Sequence, residues 1–183
     1  MGKNILCILS SPRQNSNSGC WPKAVRRCRT RRQGRSHPAC GAEHQSLSRL
    51  FRLHPFRQGR AARRYDGSVS FDRFRRCAGN GYIYYFNMSG QLKTFIDRCI
   101  AVDVGGGKRG LRGKKLAVTM AYEGEDPFDS GCINAIRCFQ DICRYTGMEL
   151  KGQAYGTALE PGAILANKKL LDEARELGRI LLS

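Results

Sequence analysis

Residues 83–98 read Ile83-Tyr84-Tyr85-Phe86-Asn87-Met88-Ser89-Gly90-Gln91-Leu92-Lys93-Thr94-Phe95-Ile96-Asp97-Arg98. Ile83 to Phe86 are β-prone and predict the end of a strand. Asn87 and Met88 predict a short loop. Ser89 fits a helix N-cap, and Leu92, Phe95, Ile96 and Cys99 recur at i, i+3, i+4 and i+7, the apolar stripe of an amphipathic helix. Strand, polar loop and helix in that order form the junction at which open α/β sheets bind ligands.

Upstream, Asn4 to Leu9 is a short apolar run, the pattern of a fully buried parallel strand. The ten residues after it, Ser10 to Gly19, are crowded with hydroxyls and amides and hold one arginine. Such a loop, followed by a helix N-terminus, suits a phosphate group. A plain polar turn is the other reading these residues allow, and no GxxxxGK[ST] is present. From Cys20 to about Tyr82 no helical or strand period is sustained. Downstream, Gly105 to Lys108 reads as a linker. Lys114 to Ala121 predicts a second buried strand, and Tyr122 to Phe128 an acidic loop. Asp129 or Ser130 then caps a helix to Tyr145, with Ile133, Ile136, Phe139 and Cys143 inward and Gly147 as its stop. Met148 to Tyr155 predicts an edge strand and Pro161-Gly162 a turn. A last helix over about 166–182 places Leu170, Leu171, Ala174, Leu177, Gly178 and Leu181 on one face.

The 183 residues suffice for one domain with a sizeable core. No stretch of 18 apolar residues occurs, and the N-terminus lacks a signal-peptide layout, so no membrane partner is expected. Nine cysteines show no paired CxxC spacing. Five sit among apolar residues and read as reduced, buried thiols of a cytoplasmic protein. His37, His44 and His54 share a stretch with Cys20, Cys28, Cys40 and Cys77 without regular spacing, so no metal site is expected. The formal charge of +17 is unevenly spread. Residues 20–82 hold 15 Arg, 1 Lys and 3 acidic residues, a net of +13. The other 120 residues carry a net of +4. A nucleic-acid arm usually mixes Lys with Arg and interleaves aromatics. A single Lys and no repeat argue against one, so nucleic acid is not the expected partner.

Taken together, the two ends resemble the NAD(P)H-dependent FMN reductase and flavodoxin-like quinone reductase superfamily. Ser11-Pro12-Arg13-Gln14-Asn15-Ser16-Asn17-Ser18 resembles its FMN-phosphate loop, and residues 84–98 resemble its second flavin loop and the helix after it. The tail from Lys114, with Phe128-Asp129 and Tyr145 to Glu149, is similar as well. Tyr82 stands where the family has a proline. The resemblance covers residues 1–19 and 83–183. It implies an α/β, flavodoxin-like three-layer sandwich with a five-stranded parallel sheet in the order 2-1-3-4-5 and FMN at the carboxyl ends of the strands. Carried over residue by residue, Ser11, Arg13, Ser16, Asn17 and Ser18 would hold the phosphate. Tyr84, Tyr85, Phe86, Asn87, Met88 and Ser89 would line the isoalloxazine, with Tyr122 and Glu123 closing its other side. The implied activity is oxidoreduction: NAD(P)H is the co-substrate and a flavin, quinone or similar small molecule the acceptor. Because the flavin carries that chemistry, no catalytic side chain is expected. A homodimer or tetramer is the implied assembly.

The resemblance lapses over residues 20–82, and their Arg bias fits coding DNA read in a shifted frame. Cys20-Trp21-Pro22-Lys23, written TGC TGG CCG AAG, yields Leu-Ala-Glu two bases on, a family-like start for the first helix. A different shift over residues 43–56 permits a family-like strand running into a cysteine loop. A chain so altered lacks the native residues of two strands, and ordering each residue costs ~1–2 kcal/mol of backbone entropy. The alternatives to an enzyme are therefore an inactive copy or a basic protein that binds nucleic acid through the Arg-rich residues 20–82.

Overall fold

The computed structural model describes residues 5–10, 17, 43–46, 75–100, 103 and 110–183. In chain order these contain β1 (Ile5–Leu9), β2 (Glu43–Ser46), β3 (Arg76–Tyr84), β4 (Asn87–Met88), α1 (Gly90–Arg98), β5 (Lys115–Tyr122), α2 (Cys132–Thr146), β6 (Glu149–Thr157), a 3-10 turn (Ala163–Ala166) and α3 (Lys168–Leu182). Five strands run parallel in the order β2-β1-β3-β5-β6, and β4 folds back antiparallel onto the end of β3. With the two-residue β4 set aside, this is the expected 2-1-3-4-5 order of a flavodoxin-like sheet.

Alternation along the strands builds two cores. Leu6, Ile8, Leu116, Val118, Met120 and Tyr122 face Leu92 and Phe95 of α1 and Ile136, Phe139 and Cys143 of α2. Cys7, Ala78, Ala117, Ala121 and Ala154 face Leu170, Leu171, Ala174, Leu177 and Leu181 of α3. The small residues on this second face let α3 lie close against the sheet. The one polar pair mid-sheet is satisfied among the described residues. Thr119 Oγ1 donates to Asn80 Oδ1, and Asn80 Nδ2 donates to the carbonyl of Ile8 at 3.3 Å.

Most elements fall where the residues put them. Ser89 caps α1, accepting from Leu92 N at 3.3 Å. Gly147 ends α2 at φ 74°, and α3 buries all six residues expected of it. Four expectations are corrected. The Arg-rich stretch offers no readable strand, yet β2 forms at Glu43–Ser46, and β3 begins at Arg76 rather than near Ile83. Arg76-Cys77-Ala78-Gly79-Asn80-Gly81 lacks β-branched residues, so its propensity is low. Pairing with β1 on one side and β5 on the other overrides that. The strand also ends at Tyr84: Tyr85 and Phe86 form a turn, and Asn87-Met88 form β4 instead of a loop. The N-cap of α2 is Gly131, not Asp129 or Ser130. Asp126 serves the preceding turn, its Oδ1 accepting from Phe128 N at 2.7 Å and Asp129 N at 2.8 Å. Finally, of the five cysteines expected to be buried, Cys99 and Cys138 are only half-buried, while Cys77 joins the buried set. No disulfide links any two of the six described cysteines. The linker reading of 105–108 and the shifted-frame reading of most of 20–82 concern positions outside the described residues.

Candidate functional site

The carboxyl ends of β1, β3, β5 and β6 share one edge of the sheet, and the chain diverges to either side between β1 and β3. This is the switch point at which open α/β sheets bind ligands. Ser10 follows β1 there. Its N–H donates to the carbonyl of Asn80 at 3.1 Å. Its hydroxyl is buried and has no hydrogen-bond partner among the described residues. The hydroxyl lies beside Gly81, where an added Cβ would sit 3.4 Å from Ser10 Oγ.

At the end of β3 the chain reverses through Tyr85 and Phe86, with φ of 46° and 67°. Tyr84 pairs with Asn87 across the turn. Two positive-φ residues between paired strands make a type I′ hairpin turn, whose usual occupants are Asn and Gly. Left-handed backbone at residues other than Gly or Asn costs ~1–2 kcal/mol each. The turn is also where apolar rings stay in water: Tyr85 is 95% exposed and Phe86 57%. Their ring centroids lie 5.5 Å apart in an edge contact, and those of Tyr82 and Tyr84 lie 5.2 Å apart with the rings tilted at 52°. A strained turn with exposed aromatic surface at the switch point marks a candidate binding feature.

The loop after β5 meets this turn. Gly131, at φ 72°, lies directly against Phe86: an added Cβ would come within 2.5 Å of Phe86 Cβ and 2.6 Å of its carbonyl oxygen. From the first turn of α2, Asn134 Nδ2 donates to that same carbonyl at 2.9 Å. The loop is itself fixed by Thr157 Oγ1, which donates to the carbonyl of Gly124 at 2.9 Å. On the other flank Asn17 is 3% exposed. Its Nδ2 donates to the carbonyls of Ala158 at 2.8 Å and Glu160 at 2.9 Å, and its Oδ1 accepts from Ile164 N at 3.2 Å.

These positions sort the expected site residues. Tyr84, Tyr85, Phe86 and Asn87 come together on the exposed turn, and Asn87 Oδ1 accepts from Met88 N at 2.8 Å. Met88 is buried in the core and Ser89 is the buried cap of α1, so these two shape the loop from beneath. Tyr122 is likewise buried, packed in the core that α1 and α2 cover. Burial raises its phenol above the ordinary tyrosine range, and a hydrogen bond with Thr157 partly opposes this. Glu123 beside it is exposed. Both amide hydrogens of Asn17 are committed to the 158–160 carbonyls. Ser11, Arg13, Ser16 and Ser18 lie outside the described residues. Ser10 belongs to the polar loop read from the sequence but was not named among the site residues, and Gly131 and Asn134 were missed. Only Gly131 left a signal, as a lone glycine ahead of a helical period.

The FMN implied by the family resemblance can be weighed against these groups. An unpartnered buried hydroxyl at the β1 end fits a hydrogen-bond acceptor placed there. The exposed rings beside it fit a flat, largely apolar group, so the residues present fit the cofactor. No helix among the described residues is long and apolar enough to cross a membrane, and no group of three or more His, Cys, Asp or Glu among them suits a metal ion.

No family model matches the chain. A protein of Bacillus subtilis (strain 168) that carries the name of an NAD(P)H-dependent FMN-containing oxidoreductase is 34% identical over 106 residues, 52% of this chain and 54% of that one. The chain thus spans about half the length of this curated relative. Solved structures align over nearly the whole chain. The Trp repressor binding protein of Bacillus subtilis matches at a TM-score of 0.67 and 22% identity, covering 96% of this chain and 97% of that one. An NAD(P)H:quinone oxidoreductase of Methanothermobacter marburgensis gives 0.66 and 17%, covering 100% and 98%. General stress protein 14 of Treponema denticola, solved in complex with FMN, gives 0.54 and 16%, covering 98% and 95%. By sheet order, layer arrangement and these structural matches, the chain has a flavodoxin-like fold.

Proposed function

We propose that the chain binds FMN at the switch point and uses it to pass electrons from NAD(P)H to a small acceptor, a flavin, a quinone or a molecule of that kind. The observation that carries this reading is the Tyr84–Asn87 turn, a strained hairpin that holds aromatic rings in water at the carboxyl end of the central strand. The 34% identity to a protein named as an FMN-containing oxidoreductase supports it. When bound, FMN supplies the hydride and electron chemistry. The chain binds and orients. Tyr84, Tyr85, Phe86 and Asn87 offer ring faces and backbone N–H groups, and Ser10 offers a donor. Ser11, Arg13, Ser16 and Ser18 hold the phosphate in this reading, while Asn17 ties their loop to residues 158–164. Tyr122 acts from behind as packing, and Glu123 stands at the rim. The same reading expects a cytoplasmic homodimer or tetramer.

Anaerobic mixing tests it. Protein reconstituted with FMN is mixed with NADH or NADPH while flavin absorbance is followed. Bleaching, reversed by adding a quinone, is the expected result. A bound flavin that keeps its colour with both nucleotides overturns the proposal.

A further inference from the structure

We infer that Asn134 is a positioning residue for the aromatic turn: with Gly131 it clamps Tyr85-Phe86 in the left-handed conformation that the proposed flavin site requires. This rests on that reading for its functional consequence, though not for its structural one. Neither Tyr85 nor Phe86 favours positive φ, so the sequence of the turn does not select its own shape. Something outside the turn must hold it. The described residues contain two contacts suited to the task, and both come from the start of α2. Gly131 has no side chain, and that absence is what lets the Phe86 backbone come so near. Asn134 then donates to the Phe86 carbonyl at 2.9 Å. A different turn geometry would reorient that carbonyl, so the hydrogen bond favours the left-handed form. Asn134 is itself well fixed, since its backbone N–H donates to the Gly131 carbonyl at 3.1 Å. Its side chain is exposed and buries no core surface, so folding does not account for it.

The test is a cycle of four proteins: the native chain, Asn134→Ala, the turn variant Tyr85→Asn with Phe86→Gly, and the combination. Alanine favours helix, so α2 survives the substitution. Asn-Gly adopts the type I′ turn unaided. The first measurement needs no ligand and follows amide hydrogen exchange over residues 84–88. Asn134→Ala is expected to speed exchange about fivefold in the native turn, the equilibrium equivalent of one ordinary hydrogen bond. Less than about twofold is expected in the Asn-Gly turn, which does not depend on the clamp. The second measurement is FMN affinity of the native chain and Asn134→Ala alone, because the Asn-Gly turn lacks the rings proposed to meet the flavin, and about a fivefold weakening is expected. Equal effects of Asn134→Ala in both turns, or none in the native turn, overturn the inference. If exchange follows the expected pattern while the native chain binds no FMN, the clamp stands and the flavin reading fails.

Discussion

At the scale of single residues, the candidate site combines a donor uncommitted among the described residues, Ser10, with side chains whose hydrogen bonds are all engaged. Asn17 is the clearest case. One buried amide satisfies two carbonyls and an N–H of the 158–164 loop, which joins β6 to the 3-10 turn. Asn17→Ala strands those groups, and an unsatisfied buried polar group costs about 1–3 kcal/mol. A loss of stability in that range is expected by denaturant titration, while an unchanged midpoint would contradict the assignment. The residue was legible in the sequence as part of a polar loop, but its partners were not. They lie more than 140 positions away, and no local pattern encodes a contact at that distance. Asn134 escaped notice for a related reason, since its partner, the Phe86 carbonyl, lies 48 positions away.

At the scale of elements, legibility followed periodicity. α3 repeats its apolar residues so regularly that its buried face could be written down in advance. β1 and β5 announce themselves as apolar runs. β3 does not, because Ala78, Gly79 and Gly81 carry little side chain and its identity comes from its neighbours. Cys77 lies buried in that strand. Burial pushes its thiol up from 9.0 to about 12; Lys114 opposes the shift, and Cys7 and Cys143 add to it. The protonated thiol is thus favoured in the folded state. Its contribution is fully present below pH 9 and is lost as pH rises from 9 through 12. Native protein should therefore lose stability across this range more steeply than Cys77→Ala, by up to about 1.4 kcal/mol per pH unit. Parallel slopes in denaturant titrations at pH 8.5 to 11 would contradict this.

At the scale of the whole molecule, the five-stranded parallel sheet brings its carboxyl ends to one edge, where the described residues have their two non-glycine positive-φ positions and their most exposed large hydrophobic ring. The sheet order was legible only through the family resemblance of residues 1–19 and 83–183, since no local residue pattern encodes strand order. The division of labour within the site was not. Residues 84–87 are exposed and 88–89 buried, and only the fold shows that Met88 and Ser89 support a surface that Tyr84 to Asn87 present. The central claim is that this surface holds a flavin. Titration of the purified, flavin-free chain into FMN, followed by flavin fluorescence, tests it most directly. Saturable quenching at one FMN per chain is predicted, weakened at least tenfold when Tyr85 and Phe86 are both replaced by alanine, as expected if two stacking contacts of ~1 kcal/mol each are removed. Fluorescence that stays unchanged up to millimolar protein would contradict the account.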